Sequence, residues 1–278
     1  MINKLTTFAA SSGPSIHITA AGLFKIGNLT ISNSIFYGWI CSIFMVIILI
    51  WLAHRVTIKP RGGLIQFIEA GVEFLSNQVT SSFEDKERAK KYVPYFVTLG
   101  FFLLINNWLG LVPGVGEAIT YHGNSLLRPF TGDLNATLAM GVVTMIYVYS
   151  SSIREAGVKG YFSHFFVGSP LNPLYLVLGL LEMITDATRV ISLSLRLFLN
   201  VAIGEAIIAV FSYLGHFLAP LTAAPFTAIE IFIGALQAYI FVILSVSYLA
   251  IAVNHATEHE HLTDESIPET IGLEPEKV

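Results

Sequence analysis

The sequence is poor in charge. Of its 278 residues only 12% are Asp, Glu, Lys or Arg, whereas 54% are hydrophobic and the mean hydropathy is +0.69. Soluble domains carry about 25% charged residues, so a water-soluble enzyme is excluded and an integral membrane protein is what remains. Cysteine is almost missing: Cys41 stands alone, so no intrachain disulfide can form. There is no GxxxxGK[ST] loop, which removes that route to ATP. No basic head precedes the first apolar run, which begins too far along the chain to read as a cleaved signal peptide. The net charge of −4 gathers in the C-terminal tail and offers nothing to a nucleic acid.

What is present is a set of uncharged stretches near the ~20 residues that a membrane-spanning helix needs. They cover 36–53, 93–116, 134–153, 162–181, 206–229 and 231–253. Basic residues fall unevenly between them. Segment 54–91 holds seven of the fifteen Lys and Arg residues, 113–129 holds only Arg128, Arg154 and Lys159 follow, and 215–225 has none. The positive-inside rule then predicts an outer N-terminus, inner 54–91 and 154–159 loops, and five crossings that leave the C-terminus inside. The expected organisation is an outer N-terminal segment over 1–33, one all-α membrane domain over 34–256, and an acidic inner tail over 257–278.

Within 62–83, Ile68, Val72, Leu75 and Val79 share one helical stripe, with Glu69, Glu73 and Asn77 on the other side. This predicts an amphipathic helix on the inner membrane surface or packed on a partner. Asn172-Pro173 is a helix start, with Asn as cap and Pro in the first turn. No further breaker appears before Gly215, apart from two tolerable glycines. A helix of about forty residues is roughly 60 Å long, twice the hydrocarbon thickness, so it must tilt or bend. After Pro220 and Pro225 a second long helix is expected to run to about Ala256. The result over 173–256 is a long, steeply tilted hairpin, a shape that suits packing against something large and round. The tail, with His255, His259 and His261, is expected to be solvated. Nothing in the pattern requires a cofactor or a metal.

Ionisable residues inside a membrane are functional candidates by default, since an arginine there costs about 2.5–3.5 kcal/mol on insertion scales. The run SLSLRLFLN carries Arg196, and between 190 and 229 only Glu205 joins it as a charge. At 100° per residue Arg189, Ser192, Arg196 and Asn200 form one polar stripe, while Glu205 points about 180° away and lies roughly 13 Å further outward. On the next helix Glu230 and Gln237 share a face. In an antiparallel hairpin, residues at equal depth keep a nearly constant sum of numbers. That rule sets Gln237 level with Arg196, Glu230 level with Glu205, and Asp186 level with Tyr248. Two offset proton paths follow: an outer one at Glu205 and Glu230, and an inner one near Ser192, Asp186 and Tyr248. Arg196 lies between them as a permanent charge barrier. For Glu182, Asp186 and Arg189 the alternative is that they join helices to one another. Of Asn106 and Asn107, one is expected on the outer path, with Asn107 the candidate, and the other in packing.

At SLSLRLFLNVAIGE and ALQAYIF the sequence resembles the a subunit of F-type ATP synthases, as it does at NNWLGLVP, DLNATLAM and LIQFIEAGVEFL. The resemblance implies that Arg196 faces the carboxylate of a rotating c-subunit ring, and that Asn200, Glu205 and Gln237 hold their motif positions. Glu230 falls where members carry histidine or glutamate, and the Glu–Glu combination resembles bacterial or plastid forms. Leu199, in place of a small residue, and Gly110, where some members carry an acid, depart from the pattern. The resemblance further implies a non-catalytic stator subunit in the bacterial plasma membrane. Its partners would be the c-ring, the b-subunit peripheral stalk and the rest of the synthase; protons would be carried, with membrane lipid around it. The rival is a self-contained proton-coupled transporter, which usually shows internal repeats and broken central helices; neither is visible here.

Overall fold

The structure, a computed structural model, describes residues 22–26, 29–55, 63–112, 115–121, 124–165 and 173–265. A hairpin of β1 (Gly22–Ile26) and β2 (Leu29–Ser32) leads into helix α1 (Asn33–Arg55). Next come α2 (Gly63–Ser81), the short α3 (Lys86–Lys90) and α4 (Val93–Gly110). A second hairpin, β3 (Gly116–Tyr121) with β4 (Asn124–Leu127), and a 3-10 turn at Phe130–Gly132 precede α5 (Leu134–Phe165). The chain ends in α6 (Pro173–Gly215), a 3-10 turn at His216–Leu218, and α7 (Ala219–Glu265).

Among the described residues, four helical stretches are long and apolar enough to cross a membrane: Asn33–His54, Val93–Gly110, Leu134–Glu155 and Thr188–Ile251. The last runs through the turn between α6 and α7. The expected all-α membrane architecture is therefore present. Of the uncharged stretch 162–181, the start closes α5 and the end opens α6, and 166–172 lie outside the described residues.

The helix ends follow local chemistry. Asp85 caps α3 by accepting the Glu87 and Arg88 amides at 2.9 and 3.3 Å. Asp133 caps α5 through the Asn135 amide at 3.0 Å and also accepts the Ser34 hydroxyl from the start of α1. Pro94 lies in the first turn of α4, where no amide donor is required. The hairpin turn is tight: His216 adopts a φ of 45°, and Thr222 donates to the Phe211 carbonyl at 2.8 Å across it.

Helix α7 differs from expectation at both ends. It opens at Ala219, so Pro220 occupies its first turn and Pro225 lies inside it. Buried membrane helices tolerate such a proline because neighbouring groups satisfy the freed carbonyl. At the other end the helix continues to Glu265, since Ala256 to Glu265 contains neither Gly nor Pro to stop it.

The core forms where α7 is wrapped by α4, α5 and α6. Phe241, Val242, Val246, Leu249 and Val253 of α7 are buried against Phe96 and Leu103 of α4, Met145 and Val148 of α5, and Leu193 and Leu197 of α6. Small residues let helices approach: Ser194 of α6 packs directly on Gly141 of α5. Helix α2 docks on the same core. Its Val79 is fully buried, Leu75 packs on Gly100, and Gln78 donates to the Tyr239 hydroxyl at 2.9 Å. Of the expected apolar stripe, Val72 instead remains exposed. At the α4 start, Tyr92 donates to Glu155 at 2.7 Å and Lys91 pairs with the same carboxylate. Burial, with Glu155 beside it, pushes the Tyr92 hydroxyl above its ordinary pKa, so it stays a donor.

Candidate functional site

Three polar groups meet toward the turn of the α6–α7 hairpin. Glu230 is buried on α7, and its carboxylate fills the space beside Gly204 that a Cβ would occupy. Glu205, on α6, rests on the 3-10 turn: a Cβ at Gly132 would lie 3.6 Å from both of its carboxylate oxygens. Arg128, buried at the end of β4, donates to the Gly132 carbonyl at 2.9 Å. Arg128 and Glu230 are both within electrostatic reach of Glu205. The turn itself is held by α1 and α4, since Phe130 covers Gly38 and Pro129 covers Gly110.

Helix α4 fixes the stretch of α7 that carries Glu230 and Gln237. Asn107 donates to the Gly234 carbonyl and Trp108 to the Ile231 carbonyl, both at 3.0 Å. These two bonds strap successive positions of α7 between the two candidate residues. Asn106 is used differently, donating to the Phe102 carbonyl of its own helix at 2.8 Å.

Arg196 occupies the other face of α6. It is exposed, as are Ser192, Leu199 and Ile203 along the same side. The side-chain nitrogens of Gln237 and Asn200 are buried and have no hydrogen-bond partner among the described residues, and the same holds for the side-chain amide oxygen of Asn107. Two turns before Arg196, Arg189 stacks over the Tyr248 ring at 4.7 Å. The side chains of Glu182 and Asp186 lie outside the described residues, as do 1–21 and 266–278.

The helical arithmetic therefore brings Glu205 to Glu230 and separates both from Arg196. What it misses is Arg128 and the two glycines, Gly132 and Gly204, on which the carboxylates rest. A signal existed for the cation, because Arg128 is the lone Lys or Arg of 113–129. Chemically, the Glu205–Glu230 cluster can take up and release a proton, whereas the guanidinium at Arg196 can only hold a charge.

The family model described as ATP synthase A chain matches residues 35–250, which include all of these groups. The chain belongs to that family. Among its relatives, ATP synthase subunit a of Anaeromyxobacter sp. (strain Fw109-5) is 29% identical over 84% of this chain and 57% of its own length. ATP synthase subunit a 2 of Chlorobaculum tepidum is 28% identical over 88% of this chain and 68% of its own. ATP synthase subunit a of Sulfurihydrogenibium sp. (strain YO3AOP1) is 34% identical over 69% and 82%. The chain thus spans under two thirds of the Anaeromyxobacter relative. Within the family frame, the SLSLRLFLN run is the part of α6 that presents Arg196 outward.

Proposed function

We propose that this family member is the stationary channel subunit of a proton-translocating ATP synthase, seated in a bacterial plasma membrane with its C-terminus in the cytoplasm. The outer half-channel leads past Glu205 and Glu230, with Asn107 and Gln237 along its inner wall. A proton arriving there neutralises a carboxylate on a rotating ring of small partner subunits. On the return side that carboxylate releases its proton toward Ser192 and Asp186, then meets Arg196 in its charged form. Each charge moved across gains about 2.3 kcal/mol per 100 mV. A peripheral stalk holds the subunit still.

The observation that carries this reading is the opposition of faces on α6. Arg196 is exposed, while Glu205 is turned in against Gly132 and Glu230. An arginine that merely joined helices of one chain would be turned in too. Arg196→Ala is expected to abolish proton-driven ATP synthesis in membrane vesicles while the complex still assembles and its soluble part still hydrolyses ATP. Arg196→Lys is expected to recover little, because a compact ammonium cannot reproduce a delocalised planar charge. Normal synthesis by Arg196→Ala would overturn the proposal.

A further inference from the structure

Arg128 is not explained by holding a loop. It is a buried guanidinium in the outer cap, and its Nη2 donates to the Gly132 carbonyl at 2.9 Å. Gly132 is the residue against which both Glu205 carboxylate oxygens rest. The cation and the acid therefore share one peptide as a seat, and they interact electrostatically. The charged groups facing Glu205 come from two elements: Arg128 from the segment after β4, and Glu230 from α7. Asp133, next in sequence to Gly132, is occupied by Ser34 and the Asn135 amide.

Were Arg128 only a loop clamp, its aliphatic stem and one hydrogen bond would do, and no charge would be needed. A buried charge without an opposite charge is costly. Glu205, half-buried beside Gly132, brings an opposite charge within reach of it. When two carboxylates crowd together, a fixed cation beside one of them makes the pair unequal. One acid is then held in a fixed orientation while its neighbour stays free to move.

We propose that Arg128 is the positioning residue of the outer proton site, fixing the Glu205 carboxylate on the Gly132 turn and setting it against Glu230. The proposal rests on the channel function given above. It adds a residue from the outer cap to a path otherwise built from the α6–α7 hairpin and Asn107 of α4.

The test uses the whole synthase in inverted membrane vesicles, reading ATP-driven proton pumping normalised to the amount of assembled complex. Arg128→Gln is expected to lower pumping about tenfold, the scale of one lost charge interaction in a buried site. Arg128→Lys, which keeps the charge but loses the fork, is expected to retain most of the rate. The deciding measurement is Arg128→Gln in a Glu205→Gln background. With no carboxyl group at 205 to position, the second change is expected to lower the rate no further. Independent, multiplying losses would overturn the proposal and leave Arg128 as a loop clamp, as would equal loss from Lys and Gln. If Glu205→Gln itself pumps normally, the outer path fails and this inference fails with it. A complex that assembles only with arginine at 128 would likewise count against a positioning role.

Discussion

At the scale of single residues, Gly204 is as much a part of the outer site as the acids. Its missing side chain leaves the space that the Glu230 carboxylate fills. In Gly204→Ala the new methyl must displace the far end of a flexible side chain, which costs little stability but moves the carboxylate that the proposed path uses. Proton pumping is expected to fall about tenfold or more with normal assembly, because small misplacements of a reacting group carry large rate penalties. Glu230→Asp, shortening the acid by one methylene, is expected to restore part of the rate in the alanine background. Measuring pumping in the two single variants and the double variant checks this; a Gly204→Ala complex with unchanged flux would show that Glu230 does not need that position. Alanine at Gly132 is different in kind, since its methyl would sit at ordinary contact distance from Glu205.

Among elements, helix α5 carries the clearest strain signal. Gly157 interrupts it with φ 70° and ψ 158°, a region that essentially only glycine occupies. A Cβ there would meet nothing, so Gly157→Ala isolates backbone strain from crowding. It is expected to destabilise the purified, detergent-solubilised complex by about 1–3 kcal/mol. Gly63→Ala, also in open space but with ordinary backbone, is the control and is expected to be neutral. Equal thermal unfolding of the two variants would mean that α5 tolerates any residue at its break. The elements also show what a sequence discloses. Long helices were legible because Asn172-Pro173 and Gly215 punctuate an otherwise unbroken apolar pattern, and the meeting of Glu205 with Glu230 followed from hairpin depth alone. Arg128 was not legible as a neighbour of Glu205, because that contact depends on how the Phe130–Gly132 turn folds back under α1 and α4. The docking of α2 was equally hidden. Periodicity shows that Val79 and Leu75 share a stripe, but not that Gly100 lets Leu75 approach α4 so closely. The extension of α7 to Glu265 was masked by composition, since polar helix formers read alike in a solvated tail and a helix end.

At the scale of the whole molecule, the mechanism depends on which side of the membrane each cap faces. In the proposed function the Glu205–Glu230 cluster opens to the side of high proton potential during synthesis, which places β3, β4 and the Phe130–Gly132 turn opposite α3. The basic residues argue for this: Lys86, Arg88, Lys90 and Lys91 gather around α3, while the stretch leading to the outer cap has only the buried Arg128. Cysteines introduced singly at Ser125 and Lys86 provide the test with a membrane-impermeant thiol reagent. Cys41, the sole native cysteine, is buried in α1 and gives little background. In intact cells the Ser125 position is expected to react and the Lys86 position to stay silent; in inverted vesicles the pattern is expected to reverse. A third cysteine at Thr263, near the end of α7, should behave like Lys86 if the crossings number five. Labelling of Thr263 from outside would add or remove a crossing, turn the α6–α7 hairpin over, and place Glu205 and Glu230 at the wrong end of the path.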